Sequence, residues 1–295
     1  MMLRRRAGMI AAAMAQLLLA TSGHAQGTAG KNMLWRVQSD STVVYILGSV
    51  HMLPKSMYPL NAPIERAFDS AQRVVFELNL DSISQAAPAM EMVMKGMYTD
   101  GRTLKSVLSR STYKLAARKL KKMGMDISMF ERFKPWMVGI TMMGLDAQDD
   151  GYEPQYGIDF YFHKKANDAK KPVAGLETLN DQISIFSDLP DKAQEGFLLQ
   201  MMDSRQGSDE LDQIVKAWKL GDTTPLEKML SKYLVKDSDL YESMLFRRNR
   251  NWIPQIESML NRKERTMVVV GSLHLVGDRG VIAMLRQKGY RIEQL

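Results

Sequence analysis

Cysteine is absent from all 295 residues. Its absence excludes a disulfide scaffold, a thiolate nucleophile, a cysteine-ligated zinc and a lipidated cysteine anchor. Histidine is scarce, with four in the chain: His24, His51, His163 and His274. Long apolar runs are lacking. The longest, Ala7–Ala20, is broken by Gln16 and falls short of the roughly 20 residues of a comfortable membrane span. Charge of one sign is not in large excess. Lys+Arg 40 against Asp+Glu 33 gives +7, and setting aside Arg4, Arg5 and Arg6 with the leader described next leaves +4. So mild a surplus suits weak attraction to anionic surfaces and does not indicate a nucleic-acid partner. There is no Walker loop, dinucleotide fingerprint, His-Glu-x-x-His or Gly-x-Ser-x-Gly elbow, so no organic cofactor is expected.

What is present starts with an address. Arg4–Arg6, the apolar stretch, and the small residues Thr21, Ser22 and Gly23 predict a secretory signal over residues 1–25. Gly23-His24-Ala25 offers small residues at both positions that signal peptidase reads, which predicts cleavage after Ala25. The mature chain, 26–295, is then expected in the periplasm or the medium, without a stable membrane anchor.

Along that chain, Leu34–Val37 and Thr42–Leu47 flank the turn Ser39-Asp40-Ser41 and predict a hairpin. Asn61, with Pro63 behind it, reads as the cap of a helix. Val74–Leu78, Lys171–Glu177, Arg265–Val270 and Tyr290–Leu295 read as strands. Residues 82–148 and 178–262 carry helical periodicity, with Ser111 read as an N-cap and Gly124 as a helix terminator. Strands alternating with helices predict an α/β fold: a mixed, largely parallel central sheet flanked by helices, with long helical insertions. Residues 82–148 are a candidate helical cap.

One short repeat carries chemistry. Val44-Tyr-Ile-Leu-Gly48-Ser-Val-His51 and Met267-Val-Val-Val-Gly271-Ser-Leu-His274 are both apolar strands running into Gly-Ser-x-His. Two of the three histidines of the mature chain therefore occupy the same place in the same motif. Ligands of open α/β sheets bind outside the carboxyl ends of the strands, where such histidines project. Glu77 and Glu177 also sit at strand ends. His51, Glu77 and His274 would make a two-histidine, one-carboxylate set with open positions, as a catalytic Mn²⁺, Co²⁺ or Zn²⁺ uses. A general base or a partner orienting a histidine is the role expected of Glu177. Arg248 shares a helix face with Trp252 and is the candidate to hold an oxyanion or a substrate carboxylate. His163, away from any strand end, reads as structural. The basic stretch Lys114–Lys122 lacks interleaved aromatics and reads as a solvated face. The 24 methionines read first as core filling and second as a peptide groove.

Gly48-Ser-Val-His51-Met-Leu-Pro, Phe76-Glu77-Leu78, Gly175-Leu-Glu177-Thr178, Arg248-Asn249 and Gly271-Ser-Leu-His274-Leu-Val-Gly277 together resemble the TraB/GumN family, which includes the Tiki proteases. The resemblance runs from about Trp35 to the C-terminus. It implies the erythromycin-esterase/ChaN-like fold, the family's paired histidines at His51 and His274, and its glutamate at Glu77. Tiki members imply a divalent-metal-dependent protease, TraB relatives a link to peptide signals. Erythromycin esterases imply a metal-free hydrolase built on histidine and carboxylate. The expectation is therefore an exported hydrolase, metal-dependent, acting on a peptide or another small acyl substrate. The rival is a non-catalytic periplasmic protein that sequesters a peptide, haem or metal in the same crevice.

Overall fold

The computed structural model describes residues 30–83, 86–149, 151–202, 204–236 and 238–295. The leader expected over residues 1–25 lies outside them. The strands are β1 (Leu34–Gln38), β2 (Val43–Ser49), β3 (Arg73–Leu78), β4 (Val173–Glu177), β5 (Thr266–Gly271) and β6 (Arg291–Gln294). They form one sheet in the order β4-β3-β5-β2-β1-β6. β2, β5, β3 and β4 run parallel, and β1 is antiparallel to both β2 and β6. The expected hairpin is β1–β2, with Leu34 opposite Leu47 and Gln38 opposite Val43.

Burial explains which strands lie inside. In β5, Met267, Val268, Val269 and Val270 are all buried, as a parallel strand covered on both faces requires. Burying each such side chain contributes roughly 1.5–3 kcal/mol relative to leaving it in water. The longer helices, in chain order, are α1 (Ala62–Ser70), α2 (Ala86–Lys95), α3 (Arg110–Lys122), α4 (Pro135–Asp149), α5 (Ile158–Asp168), α6 (Leu179–Ser187), α7 (Asp191–Met201), α8 (Ser204–Leu220), α9 (Thr224–Lys236), α10 (Arg247–Leu260) and α11 (Val281–Gln287). Most of the apolar interior is one cluster around the sheet. A second, smaller cluster joins Leu104, Leu120, Phe130, Val138 and Met142 to Leu198 and Met202, the last two within and just after α7. Part of the 82–148 stretch thus has a core of its own. Methionines divide between interior positions such as Met33, Met142 and Met267 and exposed ones such as Met90, Met94 and Met129.

One local expectation needs correction. The N-cap of α3 is Ser109, whose hydroxyl accepts from Thr112 N; Ser111 lies inside the helix, two residues later. Asn61 stands at the N-cap position of α1 with proline in the first turn, though its side chain makes no cap bond; its Nδ2 donates to Asn32 Oδ1. Gly124 ends the α3 turn with φ +77°, a conformation glycine adopts without steric cost. No helix among the described residues is long and apolar enough to cross a membrane.

Candidate functional site

The carboxyl ends of four adjacent parallel strands bring the expected residues together. β5 lies between β2 and β3, so His274 beyond β5 is flanked by His51 beyond β2 and Glu77 in β3. Glu177 ends β4, level with Leu78. The small residues of the repeat serve this convergence. A Cβ on Gly48 would meet Ser272 Oγ at 2.8 Å, and Ser272 Oγ donates to Ser49 O at 2.9 Å. Glycine and serine thus dock one motif copy against the other, and neither serine has the setting of a nucleophile. At Gly271 a Cβ would lie 3.1 Å from Glu77 Oε1, 3.5 Å from His274 Cδ2 and 4.0 Å from His51 Nε2. The missing side chain leaves a notch on which three candidate groups border.

Four of the five expected residues are buried. Side-chain exposure is 9% for Glu77, 8% for Glu177, 13% for Arg248 and 4% for His274, against 67% for His51. At the centre is Arg248, the second residue of α10. Its Nε donates to Glu177 Oε1 at 2.9 Å. NH1 donates to Met244 O at 2.8 Å and to His274 Nε2 at 2.9 Å. NH2 donates to Glu77 Oε2 at 2.6 Å and lies 2.9 Å from Glu177 Oε2. A guanidinium has five N–H donors, and here four of them have hydrogen-bond acceptors within the cluster. Most of its donor capacity is spent there. Met244 belongs to a π-helical turn, Glu242–Phe246, directly before α10, an irregularity common beside functional sites.

Arginine only donates, so His274 Nε2 is the accepting nitrogen and the proton sits on Nδ1, which donates to Asn249 Oδ1 at 2.6 Å. Asn249 Nδ2 in turn donates to His274 O and Arg279 O. Trp252 packs on the imidazole at 4.3 Å between centroids and donates its Nε1–H to Glu177 Oε1. Burial pushes His274 down to about 3, with the Glu77 carboxylate opposing. It is neutral at pH 7. Burial also works against charge on Glu77, but the Arg248 guanidinium, both imidazoles and the N–H of Gly271 outweigh it and hold the carboxyl down at about 2. Gly271 N donates to Glu77 Oε1 at 2.6 Å.

His51 differs in every respect. Its Nδ1 lies 2.8 Å from Asp159 Oδ2, which leaves Nε2 at the notch. The Asp159 carboxylate, first of all, raises the pKa above the ordinary histidine range. Solvent around the exposed ring screens part of that pull. Asp159 was not among the residues expected from sequence. It lies in the first turn of α5, where a carboxylate is favoured by the helix dipole. Ile158 N donates to Val50 O, and a Cβ on Gly157 would sit 2.1 Å from His51 O. Only glycine lets α5 start that close. The sequence signal was Gly157-Ile-Asp159 at a helix start, legible only once α5 is known to abut β2. His163, one turn further along α5, lies 3.1 Å from Asp81 Oδ1 and edge-on to Phe76.

The expected metal set fails a geometric test. Among the described residues no group of three or more His, Asp or Glu is placed to hold a metal ion. The reason is visible: Arg248 takes the His274 lone pair and one Glu77 oxygen, the other Glu77 oxygen takes the Gly271 N–H, and a fixed positive charge fills the pocket.

Comparison with known proteins adds the lineage. The model of the TraB/PrgY/gumN family matches residues 33–294. The uncharacterized protein YbaP of Escherichia coli (strain K12) is 25% identical over 249 residues, covering 82% of this chain and 87% of that one. Metalloprotease TIKI2 of Xenopus tropicalis is 22% identical, covering 89% of this chain and 59% of its own length. A metalloprotease TIKI homolog of Amphimedon queenslandica is 38% identical over 58 residues, 19% of this chain and 11% of that one. No solved structure matches.

Proposed function

The chain belongs to the TraB/PrgY/gumN family, and from that premise we propose that it is an exported hydrolase of a peptide or other acyl bond, with His51 as its proton-transfer group. One observation carries this reading. Of the groups gathered at the strand ends, His51 is the one that is both solvent-facing and paired to a carboxylate, with its free Nε2 aimed at the Gly271 notch. Distant relatives named metalloproteases support the hydrolase class.

The proposed chemistry uses this chain's own groups. Asp159 holds the Nδ1–H of His51 and fixes the tautomer that leaves Nε2 basic. In the deprotonated ring, which the raised pKa of about 9 makes the major form only at alkaline pH, His51 Nε2 takes a proton from a water as its oxygen attacks the carbonyl carbon. The tetrahedral intermediate collapses when that proton passes to the departing nitrogen or oxygen, giving an acid and an amine or alcohol. The imidazolium formed in between is stabilised by Asp159 directly and by Glu77 across the notch. Arg248 and Glu177 are positioning residues in this reading: Arg248 keeps Glu77 ionised and fixed, and Glu177 holds Arg248.

The test is cleavage of a peptide library and of simple esters by purified protein, with His51→Ala alongside. Turnover in the parent and its loss in the variant are expected. A protein that binds peptides but cleaves none, with or without added Mn²⁺, Co²⁺ or Zn²⁺, overturns the reading in favour of a sequestering protein. Export is proposed with it, on the pattern of Arg4–Arg6 and Gly23-His24-Ala25. N-terminal sequencing of protein from the periplasm or medium should begin at Gln26, and a chain beginning at Met1 would count against it.

A further inference from the structure

We infer that the Arg248 guanidinium holds the seat a divalent cation would need, so that arginine and metal exclude one another and this protein carries its strand-end cluster closed on arginine. The inference concerns occupancy of the cluster and does not depend on the hydrolytic reading.

The argument rests on which electron pairs are free. An imidazole ligates through a lone pair about 2.0–2.1 Å from a metal such as zinc. The lone pair of His274 is fixed on Nε2, because Asn249 Oδ1 takes the Nδ1 proton at 2.6 Å. That is the tautomer a metal site would choose, with the neighbouring amide orienting the ring as outer-shell partners do. Yet the lone pair points at Arg248 NH1, 2.9 Å away. Glu77 Oε2 receives NH2, and both Glu177 oxygens receive Nε, with NH2 2.9 Å from Glu177 Oε2 as an ion pair. One imidazole and two carboxylates, donors of the kinds a borderline cation uses, are therefore held by a different cation, while His51 stands apart with Asp159.

Three features bolt the arginine in place. It donates to Glu77, Glu177, His274 and Met244, so withdrawal would strand their acceptors. Its guanidinium carbon stands 4.9 Å from the centroid of the Trp252 ring. NH1 is also held by Met244 O, a carbonyl of the π-helical turn. Two buried carboxylates beside one guanidinium balance its charge with one negative charge to spare. A dication added to the same pocket would face that guanidinium at contact distance, where like charges cost most.

Metal binding to the full chain tests this without reference to turnover, so failure of the hydrolytic proposal leaves the test intact. In the parent protein, Mn²⁺, Co²⁺ or Zn²⁺ at about 1 mM is expected to leave the melting temperature where a chelator leaves it, since only a ligand of the native state raises it. Titration calorimetry is expected to find no saturable site that His274→Ala removes. In Arg248→Ala the cluster opens, and a single saturable site is expected with affinity raised about tenfold or more. In the double variant Arg248→Ala/His274→Ala that site should vanish. A parent protein that binds one ion tightly through His274 would overturn the inference. So would a folded Arg248→Ala whose affinity matches the parent. Arg248→Met keeps the apolar stem if the alanine variant does not fold, and the parent's melting shift decides the first point by itself.

Discussion

The two copies of Gly-Ser-x-His begin alike and end in opposite states. In the sheet, Ser49 pairs with Gly271 and Gly48 with Val270, so the copies are out of step by one residue. β2 runs on through its serine, and His51 then leaves the sheet into solvent, where it meets Asp159. β5 stops at its glycine, and a short 3₁₀ turn, Ser272–His274, carries His274 inward under α10. There it is held by Asn249, Arg248 and Trp252. One imidazole is raised in pKa by a carboxylate, and the other is lowered by burial. Two titratable groups pushed apart in this way suit the proposed division of labour, in which the exposed ring moves protons and the buried ring is architecture.

That division can be broken most forcefully at His51. His51→Ala should reduce hydrolysis roughly 10²–10⁴-fold, the usual worth of a general base, while His51 itself contributes little to stability. Steady-state rates on whichever substrate the library yields would check the first half. The mirror image is His274→Ala. It removes a buried partner of both Arg248 and Asn249 and opens a cavity beside Trp252, and should cost about 2–4 kcal/mol of folding free energy. Urea unfolding of both variants measures the contrast, with His51→Ala expected to lose less than about 1 kcal/mol. Equal losses would abolish the comparison.

Asp159→Asn is a finer probe. The amide keeps the shape but not the charge, so the His51 pKa should fall toward the ordinary value of about 6.5, read by NMR titration of the ring. Hydrolysis should drop roughly 10–100-fold, as losses of an orienting partner commonly do. An unmoved His51 titration would mean that Asp159 does not tune it.

The smallest effect separates the two copies by the sign of their pH dependence. His274 is held at about 3 in the folded protein, against about 6.5 unfolded. Between those values the unfolded chain binds a proton that the folded one does not, so the stability this ring contributes is whole above about 6.5 and is lost as pH falls. Glu77, held at about 2, loses its share in the same direction, below its unfolded value of about 4.3. His51, whose pKa is raised, contributes fully below about 6.5 and loses that contribution as pH rises through its folded value. The stability gap between parent and His274→Gln should therefore shrink on acidification, and the gap between parent and His51→Gln should shrink on going alkaline. Unfolding curves across pH would show it, and gaps that drift the same way would refute the assignment.

Much of this was written in local pattern. Apolar runs of four to six residues announced the strands, and two copies of one short motif at the ends of parallel strands had to emerge at the same edge of the sheet. Glu77 and Glu177 were placed by ending such runs, and Arg248 and Trp252 by their i,i+4 spacing. Asp159 was not legible. It lies 108 residues from His51, and nothing near it in sequence says which helix start will abut which strand end. Nor was the commitment of Arg248, because five acceptor atoms from Glu77, Glu177, Met244 and His274, in four segments, converge on it only in the folded chain. Ser109 teaches the same on a small scale: which of two neighbouring serines caps the helix is settled by which hydroxyl meets a free N–H of the first turn.

By itself, then, the sequence determined the α/β class, the strand ends and the set of groups that meet there, because side-chain period and strand direction are local properties of the chain. Only the tertiary structure decided which histidine is wet and which dry, which carboxylate serves each, and that a guanidinium occupies the centre. Those outcomes depend on desolvation and on through-space charge, and both are set by segments from 25 to 171 residues apart that come into contact only on folding.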